Sequence, residues 1–155
     1  MKTSTRCVQL GRGNDVHGAF VPPIYQTATF EQPTATEFGE YDYTRSGNPT
    51  RSVLEQQLAN LEDAKFACAF ASGMAALTAL TRLVRPGEEI IAGADLYGGT
   101  VRLLESISAN QNVTVRYVDT SDVESVRRAA SLRTRLILVE TPSNPSFRIT
   151  DIRQV

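Results

Sequence analysis

The chain has 155 residues, of which 41% are hydrophobic and 21% are charged, and its formal net charge is −1. This length and composition are sufficient for the core of one ordinary globular domain and exclude an intrinsically disordered chain. The near-zero charge excludes an electrostatic footprint for nucleic acid or an anionic membrane surface, and no apolar run is long enough to cross a bilayer.

The first 50 residues are rich in threonine, glycine, proline and aromatic residues and show no sustained helical period. Prolines at 22, 23, 33 and 49 interrupt regular structure, because proline lacks the N–H donor and restricts the residue before it. We therefore expect residues 1–50 to form an extended arm rather than a compact domain.

Tyr43 and Arg45 lie two residues apart in this arm. In an extended segment, residues with that spacing point to the same side, so the guanidinium and the phenol hydroxyl can bind one phosphate together. A solvated loop arginine without a ligand is the alternative.

From residue 51 onward the pattern predicts alternating helices and strands. Helices are expected where apolar residues recur every three or four positions, as Leu54, Leu58 and Leu61 do, and strands where short apolar runs are bounded by turn residues. The predicted helices are 52–61, 74–84, 97–109 and 122–130, and the predicted strands are 66–71, 89–92, 113–118 and 136–139. These alternations predict an α/β layer with a mainly parallel sheet, in which ligands bind outside the carboxyl ends of the strands.

Gly73 follows the first predicted strand and stands at the start of a helix. A helix N-terminus offers unpaired N–H groups and a partial positive charge, and a residue without a side chain lets an anionic group approach that backbone closely. The turn is therefore a candidate phosphate site. A plain strand-to-helix turn capped by Ser72 explains the same residues equally well.

The loops after two later strands carry further candidate groups. Tyr97 precedes two glycines, which leave one face of its ring open for a flat heteroaromatic ligand. Pro142 and Pro145 stiffen a loop that presents Ser143 and Asn144, and the side-chain amide can donate to a ligand oxygen. Taken singly, a packed tyrosine and a rigid turn are the alternatives.

The two cysteines, Cys7 and Cys68, do not make a disulfide framework, and no metal-ligand spacing in the sequence includes Cys7 or the one histidine, His17. We expect Cys68 to be buried, because residues 65–71 form an apolar run. No secretory signal is visible, so we expect a cytoplasmic protein without a metal; a plastid location stays open for a plant or algal source.

In their order along the chain, these motifs resemble the Cys/Met-metabolism PLP-dependent enzymes, in which PLP is pyridoxal 5′-phosphate. The resemblance extends over nearly the whole chain, and the string GEYDYTRSGNPTR at 39–51 is most similar to the cystathionine β-lyase branch of the family. The matching segments are VPPIY at 21–25, TF at 29–30, YTRSGNPTR at 43–51, SGMAA at 72–76, DLYGGT at 95–100 and ETPSNP at 140–145.

The resemblance implies the fold of the fold-type I PLP-dependent transferases, which is similar to that of aspartate aminotransferase. Residues 1–50 would be an N-terminal arm that contacts the neighbouring subunit, and residues 51–155 would be the first, incomplete part of the PLP-binding large domain. The whole enzyme would be a homotetramer built as a dimer of dimers.

The resemblance further implies that six residues bind the cofactor, namely Tyr43, Arg45, Gly73, Met74, Tyr97 and Asn144. Gly73 and Met74 would donate backbone amides to its phosphate. Tyr43 and Arg45 would reach the phosphate of the cofactor that the neighbouring subunit holds.

Three residues implied by the resemblance lie nearer the chemistry. Tyr97 would stack on the pyridine ring, and it would also contact the substrate and act catalytically by moving protons at the substrate amine. Asn144 would bind the ring hydroxyl oxygen, and Arg102 would contribute to the substrate pocket.

The function that the resemblance implies is a carbon–sulfur lyase of methionine biosynthesis, which cleaves cystathionine by β-elimination to homocysteine, pyruvate and ammonia. The alternatives are a cystathionine γ-synthase or γ-lyase, which also act on small sulfur amino acids, or a non-catalytic fragment that only pairs with intact subunits. A nucleotide-binding module is disfavoured, because Gly11-Arg12-Gly13 precedes any predicted strand.

The family's cofactor-binding lysine lies in a Ser-x-Thr-Lys setting. Neither of the two lysines of this chain, Lys2 and Lys65, has that setting. We therefore expect this chain alone to be inactive and to need the C-terminal remainder of the enzyme as a partner.

Overall fold

The computed structural model of the chain describes residues 2–8 and 16–155. The chain forms two compact units, Met1–Ala69 and Phe70–Val155. The sequence Gly11-Arg12-Gly13 lies outside the described residues. Among the helices in the described ranges, none has the length and apolar character of a membrane span.

The first unit contains two helices, α1 (Thr3–Val8) and α2 (Pro49–Leu61). The expectation that the first 50 residues lack a helix before α2 is wrong for α1. A helix of six residues is marginal by itself, and α1 is held by contacts with the end of α2. Arg6 pairs with Asp63 at 2.8 Å, and the carbonyl of Arg6 accepts a hydrogen bond from the side chain of Gln57.

Asn48 caps the start of α2. Its side-chain oxygen accepts a hydrogen bond from the N–H of Thr50 at 2.9 Å, and its side-chain amide donates to the carbonyl of Tyr25 at 3.0 Å. Pro49 occupies the first helical position, where its missing N–H is not needed. Because Asn48 is buried, one side chain both starts the helix and attaches the arm to it.

The buried side of α2 differs from the predicted one. The leucine spacing predicts the helix correctly, but Leu54 and Leu58 are exposed, whereas Gln57 and Ala59 are buried. The spacing of apolar residues therefore identifies the helix without identifying which side this unit covers.

The second unit is an α/β layer. Its elements in chain order are α3 (Gly73–Thr81), β1 (Glu89–Gly93), α4 (Gly98–Gln111), β2 (Thr114–Val118), α5 (Val123–Ala129) and β3 (Thr134–Leu138). The three strands form one parallel sheet in the order β2-β1-β3. The predicted α/β class with a mainly parallel sheet is confirmed, and the predicted elements from residue 74 onward are found with ends shifted by at most three residues.

The central strand β1 forms the middle of the core. All of its residues are buried, and Ile90 and Ala92, which point to the same face, pack with Leu104 and Ile107 of α4. The register pairs Gly93, the last residue of β1, with Val118, the last residue of β2. The loops that follow these strands therefore begin at one edge of a fixed sheet.

The strand predicted at 66–71 is wrong, because these residues have no regular secondary structure. β1 already has β2 on one side and β3 on the other. The N–H of Ala69 instead donates to the side-chain oxygen Oε1 of Glu55 at 2.8 Å. Without strand neighbours the apolar run is not covered: Phe66 is 75% exposed, and Cys68, which was expected to be buried, is also exposed.

Glu89 at the start of β1 is a fully buried carboxylate. Arg116 donates to it from Nε at 3.1 Å and from Nη2 at 3.3 Å, and Ser131 donates from Oγ at 3.0 Å. Arg133 forms a salt bridge with it, with Nη2 at 2.6 Å. The bonds from Arg116 lower the pKa of Glu89 below its ordinary value; burial opposes this, while the Ser131 bond and the charges of both arginines add to it. The cluster joins β1 to β2 and to the start of β3.

We predict that acid destabilises the fold through Glu89. Because its pKa is lower in the folded chain than in the unfolded chain, its contribution is complete above the ordinary glutamate pKa and is lost as the pH falls through the folded-state value. At neutral pH, Glu89→Gln should lower the melting temperature measured by circular dichroism, because Arg116 and Arg133 lose their counter-charge. The difference from wild type should shrink in acid.

The matched control for this prediction is Glu124→Gln. Glu124 pairs with Arg127 on the surface of α5, where a salt bridge contributes little to stability. Equal losses of melting temperature from the two substitutions at neutral pH would contradict the role of Glu89.

Candidate cofactor site

Ser72 caps the N-terminus of α3, but the space beside its first residue, Gly73, is free. Ser72 has an extended backbone, and its Oγ accepts a hydrogen bond from the N–H of Ala75 at 3.2 Å. Gly73 is exposed, and a Cβ placed on it would meet no neighbouring atom within 4 Å. The cap uses the N–H of Ala75, so it leaves the earlier N–H groups of the helix for an anion.

Tyr97 precedes α4, and its ring lies against Gly99. A Cβ on Gly99 would lie 2.5 Å from Cε1 and 3.1 Å from Cδ1 of the ring, so this ring position requires glycine. The Sδ of Met74 lies 3.1 Å from the same point, which places the start of α3 beside the tyrosine. Tyr97 is 51% exposed, which leaves aromatic surface for a flat ligand.

Ser143 and Asn144 are adjacent in the loop after β3, but their side chains have different environments. Ser143 is buried, and its Oγ donates to Oδ2 of Asp95 at 2.6 Å and accepts from the N–H of Arg148 at 2.9 Å. Asn144 is exposed. Ser143 therefore fixes the loop, and Asn144 is the residue whose amide faces solvent and can reach a ligand.

Two carboxylates that sequence reasoning missed connect the loops after β1 and β3. Oδ2 of Asp95 accepts from Ser143 and also from the N–H of Ser146 at 3.0 Å, and Oε2 of Glu140 accepts from the N–H of Tyr97 at 3.1 Å. The Ser143 hydroxyl lowers the pKa of Asp95 below its ordinary value; burial opposes this, and the bonds from Ser146 lower it further. Their position was a usable signal, because both acids lie two residues beyond the end of a strand.

In the first unit, Tyr43 and Arg45 lie together, but the segment that holds them is not the extended one that their spacing predicts. Tyr43 forms an antiparallel bridge with Thr29, and its carbonyl accepts from the N–H groups of Ser46 at 2.9 Å and Gly47 at 3.0 Å. The chain therefore turns here and is not extended. The Arg45 guanidinium lies 4.9 Å from the centre of the Tyr43 ring, and this cation–π contact keeps the cation beside the phenol.

Arg51 of α2 holds this turn in place. It donates from Nη1 to the carbonyl of Thr44 at 3.2 Å and from Nη2 to the carbonyl of Ser46 at 2.8 Å. Arg51 is therefore occupied with the backbone, which leaves the exposed Arg45 as the arginine of the motif that can bind an anion.

The substrate residue expected at Arg102 lies on the surface of α4. Its Nη1 is 3.5 Å from the point that a Cβ on Gly98 would occupy, so the side chain folds back towards the start of the helix. The second unit thus brings Met74, Tyr97 and Arg102 to the region around the start of α4. Hydrogen bonds to the two carboxylates attach the loop of Asn144 to the segment that precedes this helix.

The groups in the second unit fit the phosphate and the ring of pyridoxal 5′-phosphate. The open backbone at Gly73 lies at the positive end of a helix, where a doubly negative group is favoured. The exposed ring of Tyr97 suits a flat pyridine, and the exposed amide of Asn144 suits the oxygen of a ring hydroxyl.

We predict that Gly99→Ala displaces the Tyr97 ring from Met74, whereas Gly98→Ala leaves it in place. The nearest atom to a Cβ at position 98 is the flexible end of Arg102 at 3.5 Å, so alanine fits there. The chain has two methionines, so methyl NMR isolates the Met74 signal. Its ring-current shift should be lost in Gly99→Ala only, and retention in both variants would contradict the ring position.

Comparison with known proteins identifies close relatives. The chain is 53% identical over 138 residues to cystathionine β-lyase of Neurospora crassa and 49% identical over 152 residues to chloroplastic cystathionine β-lyase of Arabidopsis thaliana. These alignments cover 89% and 98% of this chain but 30% and 33% of the relatives. The chain therefore spans about a third of the length of these relatives.

Solved protein structures also superpose closely on this chain. The crystal structure of metB from Corynebacterium glutamicum superposes with a TM-score of 0.91 at 45% identity, covering 100% of this chain and 41% of that one. Cystathionine γ-lyase from Lactobacillus plantarum, complexed with L-serine, gives 0.87 at 40% identity, covering 97% and 40%. These neighbours confirm the predicted fold-type I class, and the family model for Cys/Met metabolism PLP-dependent enzymes matches residues 4–155. The chain belongs to the Cys/Met metabolism PLP-dependent enzyme family.

Proposed function

We propose that this chain is the N-terminal part of a PLP-dependent carbon–sulfur lyase that cleaves cystathionine by β-elimination to homocysteine, pyruvate and ammonia in methionine biosynthesis. The observation that carries the proposal is the open start of α3 beside a Tyr97 ring whose position requires glycine at 99. The choice of β-elimination is supported by the two cystathionine β-lyases at 53% and 49% identity.

In this proposal, bound PLP supplies an electron sink for the charge that remains when the substrate loses its α-proton. The backbone N–H groups of Gly73 and Met74 bind the phosphate at the start of α3, where the helix dipole favours negative charge. Tyr97 covers the ring, excludes water from it and moves a proton at the substrate amine through its hydroxyl. Asn144 orients the ring by donating its amide to the hydroxyl oxygen, and Arg102 helps to bind the substrate.

The remaining parts of the site come from elsewhere in the assembly. Neither Lys2 nor Lys65 stands in the Ser-x-Thr-Lys setting that the resemblance gives to the cofactor-binding lysine. The C-terminal remainder of the enzyme supplies the lysine that binds the cofactor. Tyr43 and Arg45, held together on an exposed turn of the arm, bind the phosphate in the neighbouring subunit of a cytoplasmic homotetramer.

A γ-lyase is the second candidate, and it is favoured by the Lactobacillus plantarum structure at 40% identity. The two reactions break different carbon–sulfur bonds of cystathionine. β-Elimination releases homocysteine and pyruvate, whereas γ-elimination releases cysteine and 2-oxobutyrate. The products therefore distinguish the candidates without reference to sequence.

Product analysis and intact mass spectrometry of the purified assembly test the proposal. We expect a lysine-bound cofactor located outside this 155-residue segment, and pyruvate with homocysteine from cystathionine. Formation of 2-oxobutyrate with cysteine would select the γ-lyase. A preparation that neither binds PLP nor cleaves cystathionine would support the alternative that the chain is a non-catalytic fragment that only pairs with intact subunits.

We predict that Gly73→Ala weakens PLP binding without destabilising the fold. The added methyl group has free space in the chain but occupies the path of the phosphate to the helix N-terminus. A hydrogen bond to a charged group is worth about 1.5–3 kcal/mol, so the affinity should fall by about tenfold to a hundredfold. Titration of the apo protein with PLP measures the affinity, and thermal unfolding measures the stability.

Gly39→Ala is the matched control for this substitution. Its Cβ also has room, with the nearest atom, Oε1 of Gln32, at 3.7 Å, and it lies in the first unit. An unchanged affinity in Gly73→Ala, or an equal loss in both variants, would contradict a phosphate at the start of α3.

A further inference from the structure

Two loops of the second unit are joined by side chains that make no part of the proposed contact with the cofactor. The β1 loop, residues 94–97, ends in Tyr97, and the β3 loop, residues 139–150, contains Asn144. Asp95 reaches from the first loop to the second, and Glu140 reaches from the second to the first. The two carboxylates therefore cross-link the loops in opposite directions.

Asp95 contacts residues on either side of Asn144 in the sequence. One oxygen, Oδ2, accepts from Oγ of Ser143 at 2.6 Å and from the N–H of Ser146 at 3.0 Å, so its donors lie on both sides of Asn144 in the sequence. Hydrogen bonds to a charged oxygen are stronger than neutral ones. Asp95 thus binds the side chain of Ser143 before Asn144 and the backbone of Ser146 after it, while Asn144 itself stays exposed.

The same loop is closed by Ser143. This buried residue also accepts from the N–H of Arg148 at 2.9 Å, and its own N–H donates to the carbonyl of Arg148 at 2.9 Å. Removal of Asp95 leaves a buried hydroxyl without its acceptor, which the loop must shift to satisfy.

Glu140 makes the second hydrogen-bonded link between the two loops. Its Oε2 accepts from the N–H of Tyr97 at 3.1 Å, and Tyr97 follows Asp95 by two residues. Tyr97 and Asn144 are therefore each held by a carboxylate from the opposite loop. A change at Asp95 acts on the loop of Asn144 through Ser143 and Ser146.

We propose that Asp95 is a positioning residue that sets Asn144 against the ring hydroxyl oxygen of the cofactor while Tyr97 holds the ring face. This inference rests on the proposed function, because it requires bound PLP. Asp95 touches neither cofactor nor substrate and acts through the two serine contacts.

The test compares Asp95→Ala with Asp122→Ala in the purified holoenzyme. Asp122 is a matched control, because it too accepts from a serine hydroxyl, Ser125 Oγ at 2.6 Å, and from a backbone N–H, that of Glu124 at 3.1 Å. It caps α5, and the partners of its side-chain carboxylate, Glu124, Ser125 and Arg128, all lie in that helix rather than in either loop. Both variants therefore lose one bond from a serine hydroxyl and one from a backbone N–H, and Asp122→Ala also loses an exposed ion pair with Arg128.

The readout is the pH at which the yellow absorbance of the bound cofactor is half lost. A ring oxygen without its amide donor holds a proton more tightly, so the absorbance should persist to higher pH in Asp95→Ala. The shift should be on the order of one pH unit, the size of one hydrogen bond to a charged oxygen. Asp122→Ala should keep the wild-type midpoint, and Asp95→Asn, which retains an uncharged acceptor, should fall between.

The outcomes separate this inference from the proposed function. A wild-type protein without yellow absorbance overturns the proposed function. A yellow wild type with equal midpoints in Asp95→Ala and Asp122→Ala overturns the role of Asp95 alone. If Asp95→Ala does not fold, Ser143→Ala, which keeps the charge but removes one donor, decides: an upward shift supports the role, and the wild-type midpoint overturns it.

Discussion

The parallel pairing of β1 with both of its neighbours is the constraint on which the candidate site depends. Since β2 and β3 run in the same direction as β1, the carboxyl ends of the strands lie at one edge of the sheet. The loops of Tyr97 and Asn144 therefore leave the sheet side by side, from β1 and β3. Complete burial of β1, three side-chain hydrogen bonds to Glu89 and its salt bridge with Arg133 stabilise the sheet from which these loops leave.

Gly73 and Gly99 have no side chain, and the space that each leaves is used differently. Gly73 leaves space outside the chain, where a ligand can reach the backbone, whereas Gly99 leaves space that the chain itself fills with the Tyr97 ring. Both glycines lie in the first turn of a helix, α3 for Gly73 and α4 for Gly99.

Local patterns predict the second unit well, because β1, α4, β2, α5 and β3 each carry their own periodicity. The failures concern properties that depend on neighbours. Residues 66–71 have the composition of a strand but no strand pairs with them, and the exposure of Cys68 follows from that. Sequence reasoning pairs Tyr43 with Arg45 in the first unit and Ser143 with Asn144 in the second. It cannot find the turn that joins the first pair or the buried bonds that divide the second.

Similar carboxylate chemistry has different consequences at the two ends of the sheet. Glu89 at the amino end is fully buried and pairs with Arg116 of β2 and with Arg133, the residue before β3, so we expect its loss to affect the sheet as a whole. Asp95 at the carboxyl end bonds only loop residues, and these flank an exposed asparagine. We therefore expect Glu89 to act on the stability of the sheet, whereas we propose that Asp95 acts on the placement of Asn144. The sequence does not separate these roles, because each acid lies beside the same short apolar strand and only its donors distinguish it.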